Sequence, residues 1–161
     1  MNASDWYTYT SPAGILRYRW NGQCCMQLCL QVKALSQPST SNPVHDWLQA
    51  YFQGEAAALP PLAQPKTQFQ ARMREALWAI QPGKVMGYGE LATMLHSSPR
   101  AVGQALGANP LPLLVPCHRV VAASGLGGYS GGLAWKQWLL EFEHQHWADR
   151  VADINKMRGD L

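Results

Sequence analysis

The sequence lacks the features that would place it in a membrane, a secreted fold or a disordered class. No apolar run approaches the roughly 18 residues of a membrane-spanning helix, and no internal repeat is present. The N-terminus, MNASDWYTYT, has neither the basic start nor the apolar stretch of a signal peptide, which predicts a cytoplasmic protein, or a nuclear one in a eukaryote. Charged residues make up only 14% of the chain and hydrophobic residues 47%, a balance typical of a globular protein without a membrane partner.

Cysteine is also scarce, with four residues in the whole chain: Cys24, Cys25, Cys29 and Cys117. In a reducing compartment these are expected to be free thiols. The first three, taken with His45, could suggest a zinc site, but they do not have the spacing of a usual tetrahedral ligand set. We therefore predict buried free cysteines and no bound metal.

Positive charge is concentrated in the middle of the chain. The net charge is only +3, yet the segment from Lys66 to Lys136 holds seven basic and two acidic residues. Residues 1–65 are balanced, and the segment after Lys136 holds three basic and five acidic residues. A basic segment favours an anionic partner such as nucleic acid, although an ordinary solvated surface is an alternative interpretation.

The first part of the chain predicts a small sheet followed by a helix. Residues 6–32 contain three β-rich runs, separated by the turn signals SPAG and NG, which indicates an antiparallel meander. After the polar loop QPSTSNP, Asn42 is placed to cap a helix with Pro43 in its first turn and a stop at Gly54. The proline-rich stretch GEAAALPPLAQPK is typical of a linker between two lobes.

The second part of the chain predicts four helices. The stretch TQFQ is a capping box at Thr67, and apolar residues then recur at helical spacing. The core-facing positions of this helix are Phe69, Met73, Leu77 and Ile80. YGELATMLH and RAVGQALGA form two short helices, the second with Ser98 at its N-cap and Pro99 in its first turn, and together they predict a helix-turn-helix. LAWKQWLLEFEHQHW predicts the last helix.

The second helix of this pair is unusual for one that reads bases. It consists mostly of small and apolar residues, with Arg100 at its start and Gln104 as the other polar side chain. Such a helix offers little direct readout, but it can approach DNA closely and suits a protein that binds any sequence and distorts it. A close helix–helix contact would use the same small residues.

The segment LVPCHRVV, residues 114–121, carries reactive groups in an apolar setting, and we interpret it as a half-buried strand or its end. A thiol that closely follows a DNA-binding element suggests chemistry on a base. The base would have to be flipped out of the stack to reach the thiol. Arg100 could fill the space that the base leaves, and the glycine-rich SGLGGYSGG could close over the pocket.

These segments resemble the O6-alkylguanine-DNA alkyltransferases, also called methylated-DNA–protein-cysteine methyltransferases. Pro-Cys-His-Arg is the active-site motif of that family. Here it lies in NPLPLLVPCHRVV, preceded by RAVGQAL and followed by GYSGGLAWKQWLLEFE, in the order and spacing of the family. The resemblance runs from Thr67 to Glu143.

The resemblance implies that Cys117 is a nucleophile that takes the alkyl group from guanine O6 irreversibly, so that each molecule acts once. It also implies that His118 and Glu143 draw off the thiol proton through a water molecule. Because neighbouring residues on a strand point to opposite faces, a water between Cys117 and His118 is consistent with their adjacency. Tyr88 is implied as a donor toward the leaving guanine, and Gly87 stands before it where the family commonly has serine.

Further residues are implied in DNA and base binding. Arg100 matches the intercalating arginine, Asn109 organises the turn before the cysteine, and the carbonyls of Cys117 and Val120 would accept from the guanine amino group. Ser130 and Tyr129 match the lid. The full set expected to bind DNA or the base is Arg100, Ala101, Gly103, Gln104, Asn109, Val120, Tyr129 and Ser130.

The sequence thus predicts a two-lobed α/β protein. Residues 1–65 would form an N-terminal lobe of antiparallel sheet plus helix, with the linker. Residues 66–161 would form a mainly helical DNA-binding and alkyltransferase domain. The expected partner of this monomer is double-stranded DNA carrying O6-alkylguanine, with O4-alkylthymine as a second candidate substrate and cooperative binding left open. No cofactor is expected.

Three other functions are alternatives to this one. A transcriptional regulator would have a polar recognition helix and no need of Pro-Cys-His-Arg. A non-catalytic protein that binds alkylated bases would keep the DNA site but replace the cysteine. A cysteine hydrolase would need a base across a cleft and an oxyanion hole, and it would turn over.

Overall fold

The computed structural model describes residues 6–30 and 41–147 of the chain. Within these ranges the elements are five strands and five helices. In chain order they are β1 (Trp6–Ser11), β2 (Gly14–Trp20), β3 (Cys25–Cys29), α1 (Pro43–Phe52), α2 (Gln68–Trp78), β4 (Met86–Gly87), α3 (Tyr88–Met94), α4 (Pro99–Gly107), β5 (Val120–Val121) and α5 (Leu133–His146). The predicted α/β class with an N-terminal antiparallel sheet is confirmed.

The N-terminal strands form the predicted meander, in the order β1-β2-β3 and antiparallel throughout. The turn between β1 and β2 is held by the Ser11 hydroxyl, which donates to the Gly14 carbonyl and accepts from the Gly14 amide. The turn after β2 is held by Asn21, whose side-chain oxygen accepts from the amides of Gln23 and Cys24. These are the polar turn residues that the sequence pattern relied on. Gln31 and Val32, the end of the predicted third run, lie outside the described residues, as does most of the loop that follows.

Three helices begin at the side-chain caps that the sequence indicates. Asn42 accepts from the His45 amide, Thr67 from the Gln70 amide and Ser98 from the Ala101 amide. The capping box of α2 differs in one detail. The Gln70 side chain accepts from the amide of Lys66 and not from that of the cap residue itself, so the extra hydrogen bond anchors the end of the linker.

The linker and the sheet are joined to the second half of the chain by backbone contacts. Cys25 and Leu62 form a parallel bridge, so the linker extends the edge of β3. The Leu28 amide donates to the carbonyl of Pro110, just before the Pro-Cys-His-Arg motif. Buried side chains from Leu16 to Phe142 form one continuous cluster. The division at residues 65 and 66 therefore stays a prediction, with several contacts crossing it.

The segment LVPCHRVV is not the strand that we expected. Cys117–Arg119 form a single 3₁₀ turn after Pro116, and only Val120 and Val121 pair as a strand, parallel to Met86 and Gly87. The 3₁₀ turn sets successive side chains about 120° apart, so His118 and Arg119 both reach the same carboxylate, which alternation along a strand would prevent. The apolar neighbours of Cys117 suggested a strand, but they are apolar because the whole stretch 111–120 is buried.

The described residues contain no helix with the length and hydropathy needed to cross a bilayer. Nor do residues 6–30 and 41–147 bring together three or more histidine, cysteine, aspartate or glutamate side chains able to hold a metal. All four cysteines are free, as predicted. Cys25 is fully buried, and burial raises its pKa to about 12.

Candidate active site

The turn that leads from α4 to Cys117 is organised by Asn109. Its side-chain nitrogen donates to the carbonyl of Val115, and its side-chain oxygen accepts from the amide of Leu111. Within this turn Leu113 has a φ of +75°, an uncommon conformation for a residue with a branched side chain. The strain is tolerated because the Leu113 side chain is buried in the core. The result is a fixed platform immediately before Cys117.

Cys117 lies at a cavity of about 150 Å³ between the helix-turn-helix and the glycine-rich segment. The residues that line the cavity are Tyr88, Gly103, Leu106, Gly107, Cys117, Gly128, Tyr129 and Ser130. Five of these residues were predicted as site residues from the sequence, namely Tyr88, Gly103, Cys117, Tyr129 and Ser130. The small residues of α4 thus leave room above the thiol, which the helix–helix interpretation would not require.

The thiol of Cys117 is buried in the free protein. Burial raises its pKa, while the Asn109 side chain and the Lys136 ammonium act in the opposite direction. The thiol therefore needs a nearby base to react at neutral pH. The Tyr129 hydroxyl is buried beside it but makes no hydrogen bond of normal geometry to any described residue. Burial and the nearby Cys117 raise the pKa of Tyr129 well above its usual range, so the phenol keeps its proton.

A buried, hydrogen-bonded pair of side chains begins at the residue after the cysteine. His118 and Glu143 are both completely buried, and His118 Nε2 is 2.7 Å from Glu143 Oε2. The other ring nitrogen, His118 Nδ1, is buried and has no partner among the described residues. If Nε2 carries the proton toward the carboxylate, Nδ1 presents a lone pair. This tautomer makes His118 a proton acceptor on the side away from Glu143.

Glu143 is surrounded by donors. Arg119 Nε donates to Oε1 at 2.9 Å and Arg119 Nη2 to Oε2 at 3.0 Å, while the Tyr51 hydroxyl donates to Oε2 at 2.7 Å. Burial alone would raise the pKa of this carboxyl, but His118 and Arg119 outweigh it and hold the pKa well below its usual range. The carboxylate is therefore ionised at neutral pH.

Three buried residues of this region were not assigned roles from the sequence: Tyr51, Arg119 and Lys136. Lys136 Nζ donates to the carbonyls of Val120 and Gly128 and so ties β5 to the glycine-rich segment. A signal for it existed, because Lys136, Leu139 and Glu143 recur at helical spacing on the buried face of α5. The bond to Lys136 uses one of the two lone pairs of the Val120 carbonyl.

Tyr88 stands at the rim of the cavity, at the first position of α3. Its hydroxyl donates to the Gly128 carbonyl at 3.4 Å, and burial raises its pKa. Gly127 has a φ of +76°, and a Cβ there would come within 2.8 Å of the Tyr88 ring. Glycine at 127 is therefore needed for the close contact between Tyr88 and the glycine-rich segment.

The remaining predicted residues lie on the outer side of α4. Arg100 and Gln104 are exposed, and Ala101 and Gly103 are partly exposed, while Val102 and Leu106 face the core. Of the four outer residues, Gly103 lines the cavity.

The basic middle of the chain is less exposed than its composition suggests. Arg74, Arg119 and Lys136 are buried and donate to carbonyls or to Glu143. The exposed cations of the segment are Lys66, Arg72, Lys84 and Arg100. The inference from charge alone therefore overstated the surface available to an anionic partner.

Comparisons with known proteins identify the family to which the chain belongs. Residues 68–145 match the family model described as 6-O-methylguanine DNA methyltransferase, DNA binding domain. The methylated-DNA–protein-cysteine methyltransferase of Salmonella typhimurium is 40% identical over 134 residues, which cover 79% of this chain and 78% of that protein.

Solved structures give the same result for the fold. The O6-methylguanine methyltransferase of Mycobacterium tuberculosis is 36% identical and superimposes with a TM-score of 0.75, covering 88% of this chain and 93% of that one. A second structure of the Mycobacterium tuberculosis protein, in complex with DNA, is 35% identical with a TM-score of 0.73 and the same coverage. The chain therefore belongs to the O6-methylguanine-DNA methyltransferase family, as the Pro-Cys-His-Arg motif and its neighbouring segments indicated.

Proposed function

We propose that this protein repairs DNA by taking the alkyl group from the O6 atom of guanine in duplex DNA onto Cys117. The observation that carries the proposal is the position of Cys117 at a cavity of about 150 Å³, with the buried His118–Glu143 pair behind it. A thiol needs a positioned base to become a nucleophile, and the pair supplies one. Every residue of this arrangement comes from one chain, so a monomer suffices.

The proton of the thiol moves to His118. Glu143 is ionised and holds the Nε2 proton of His118, so the lone pair on Nδ1 is free to accept. A water molecule between Cys117 and Nδ1 carries the proton across. Arg119 keeps Glu143 in place with two hydrogen bonds, which fixes the tautomer of the histidine.

The Cys117 thiolate then attacks the alkyl carbon from the side opposite O6. The new bond is sulfur to carbon, and the carbon–O6 bond breaks with its electron pair going to guanine. Tyr88 donates a proton to the guanine ring, solvent restores the proton of Tyr88, and the protonated His118 returns its proton to solvent. The balance is a thiol plus O6-methylguanine giving S-methylcysteine plus guanine. The Cys117 thiolate is a poor leaving group from the methyl carbon of the resulting thioether, so each molecule acts once.

The base reaches Cys117 by leaving the stack. We propose that the outer side of α4 enters the minor groove, where Ala101 and Gly103 permit close approach and Gln104 contacts the strand. Arg100 takes the space of the flipped base. Tyr129 and Ser130 close over it, and the carbonyl of Val120 accepts from the guanine amino group.

Intact-mass measurement followed by peptide mapping tests the proposal. The protein is mixed with a duplex that holds one O6-methylguanine, and Cys117→Ser is treated in parallel. We expect one added methyl group on the Cys117 peptide, loss of the lesion and no second turnover. Tight binding with an unmodified Cys117 would instead indicate a damage-recognition protein, and repeated turnover would indicate a hydrolase.

A further inference from the structure

The carboxylate of Glu143 receives a donor from the N-terminal third of the chain. Tyr51 lies on α1, 92 positions before Glu143, and its hydroxyl is 2.7 Å from Oε2. This is the same oxygen that His118 Nε2 contacts at 2.7 Å. Tyr51 does not line the cavity above Cys117. The Tyr51 hydroxyl therefore contacts Glu143 outside the cavity, where it cannot touch a guanine base bound above Cys117.

We propose that Tyr51 is a positioning residue of the relay, through which the N-terminal sheet-and-helix region takes part in alkyl transfer. The proposal rests on the function proposed above. The Tyr51 hydroxyl shares the charge on Oε2 and fixes the rotation of the carboxylate. Through Glu143 it sets both the direction of the His118 ring and the strength of His118 as a base.

The surroundings of Glu143 make Tyr51 its neutral hydroxyl donor, beside the His118 ring and the Arg119 guanidinium. From the turn Cys117–Arg119, the carboxylate faces the His118 ring and the Arg119 guanidinium. From the glycine-rich segment, the Tyr129 phenol interacts electrostatically with the Glu143 carboxylate. From α1, Tyr51 is buried and burial raises its pKa well above its usual range, so it stays a neutral donor. On α5, Glu143 follows the buried Lys136, which instead bonds two carbonyls.

Removal of the Tyr51 hydroxyl should shift the pH dependence of methyl transfer in a definite direction. Without Tyr51 Oη the negative charge on Oε2 is less shared, so the imidazolium form of His118 is favoured. An imidazolium already carries protons on both ring nitrogens and cannot accept one from Cys117. The acid limb of the transfer rate moves to higher pH. The looser carboxylate also lowers the rate on the plateau, by roughly tenfold for a hydrogen bond to a charged group.

The test compares Tyr51→Phe with Tyr18→Phe. Tyr18 is a matched control, because it is also buried in the N-terminal region and its hydroxyl is bonded to a neutral group, Asn42. Single-turnover methyl transfer from a duplex with one O6-methylguanine is followed across pH, and the dissociation constant for that duplex is measured separately with unreactive Cys117→Ser backgrounds. For Tyr51→Phe we expect unchanged DNA affinity, a slower plateau and an acid limb at higher pH. Tyr18→Phe should keep the wild-type plateau and limb.

A double-mutant cycle separates a role through Glu143 from general destabilisation. In a Glu143→Gln background, Tyr51→Phe should cause no further loss of rate. A wild-type rate and limb in Tyr51→Phe would overturn the inference, and so would equal losses in Tyr51→Phe and Tyr18→Phe. If the wild-type protein transfers no methyl group at all, the proposed function itself fails, which is a different result from either.

Discussion

At the scale of single residues, Glu143 stands out as a buried carboxylate held by three side chains. It is fully buried, and its carboxylate accepts from Tyr51, His118 and Arg119. Removing one partner of a buried ion pair is costly, because the other charge is left without compensation. The consequence for stability can be measured apart from any activity.

We predict that Glu143→Gln lowers the free energy of unfolding by about 3 kcal/mol or more at pH 7, the cost of leaving Arg119 buried and unpaired. Urea unfolding measures this difference. Glu141→Gln is the control, because Glu141 is exposed on the same helix. It should change stability by no more than about 0.5 kcal/mol. Equal effects of the two substitutions would contradict the role of burial.

The same substitution predicts a pH dependence. The pKa of Glu143 is depressed in the folded protein, so its contribution is fully present above the unfolded value of about 4.3. That contribution is lost as the pH falls from there through the folded value. The difference between wild type and Glu143→Gln should therefore narrow below about pH 4. A difference that stays constant down to pH 3 would show that the pKa of Glu143 is not depressed in the folded protein.

At the scale of elements, two glycines of the helix-turn-helix occupy positions that would accept a side chain. Gly87 is the N-cap of α3 and supplies no side-chain hydrogen bond. Its φ of −76° and ψ of 154° suit a serine, and a Cβ there would lie 3.8 Å from a carboxylate oxygen of Glu90. Gly103 lies inside α4, and a Cβ there would meet nothing within 4 Å.

Gly87→Ser should stabilise the protein by about 0.5–1 kcal/mol, because it completes a capping box with Glu90 and reduces the freedom of the unfolded chain. Gly87→Ala shares only the second effect. Thermal unfolding of both variants isolates the cap as the difference between them. Identical melting temperatures would mean that the serine hydroxyl does not reach the helix amides.

Gly103→Ala should act on stability and on DNA binding with opposite signs. Alanine is favoured over glycine inside a helix by about 0.8–1 kcal/mol, so the melting temperature should rise. The added methyl group narrows the cavity and the DNA-facing side of α4, so the affinity for duplex DNA should fall. Gly89→Ala is the control, since a Cβ at this position of α3 also meets nothing. Loss of affinity in both variants, or in neither, would count against close approach of α4.

Elements with local signals could be predicted from the sequence, whereas those that depend on distant partners could not. Asn42, Thr67 and Ser98 marked helix starts because an N-cap hydrogen bond joins residues only three positions apart in the sequence. The turn at Cys117 was mistaken for a strand, because an apolar run looks the same in both. Tyr51 gave no signal, since its partner is 92 positions away.

At the scale of the whole molecule, exposed charge controls how binding depends on salt. The basic middle segment exposes Lys66, Arg72, Lys84 and Arg100, and buries its other three cations. Four phosphate contacts give a slope of log affinity against log salt of about −3.6. We predict a slope no steeper than about −4 for a non-specific duplex.

Titration of a fluorescent duplex at several salt concentrations measures the slope. Lys84→Ala should make it shallower by about 1, the value for one lost phosphate contact. A much steeper slope in the wild type would mean that cations outside this segment also bind DNA.

The contact between β3 and the turn before Cys117 has a consequence for how substrate enters. Leu28 holds Pro110, and the amides of Val115 and Cys117 are bonded within the turn, so these amides should exchange with solvent slowly. Gly128 and Ser130, on the other side of the cavity, are exposed, and we expect their amides to exchange fast. Hydrogen exchange measures both. With the thiol side fixed, opening of the glycine-rich side would set a ceiling on the transfer rate that a higher DNA concentration cannot raise.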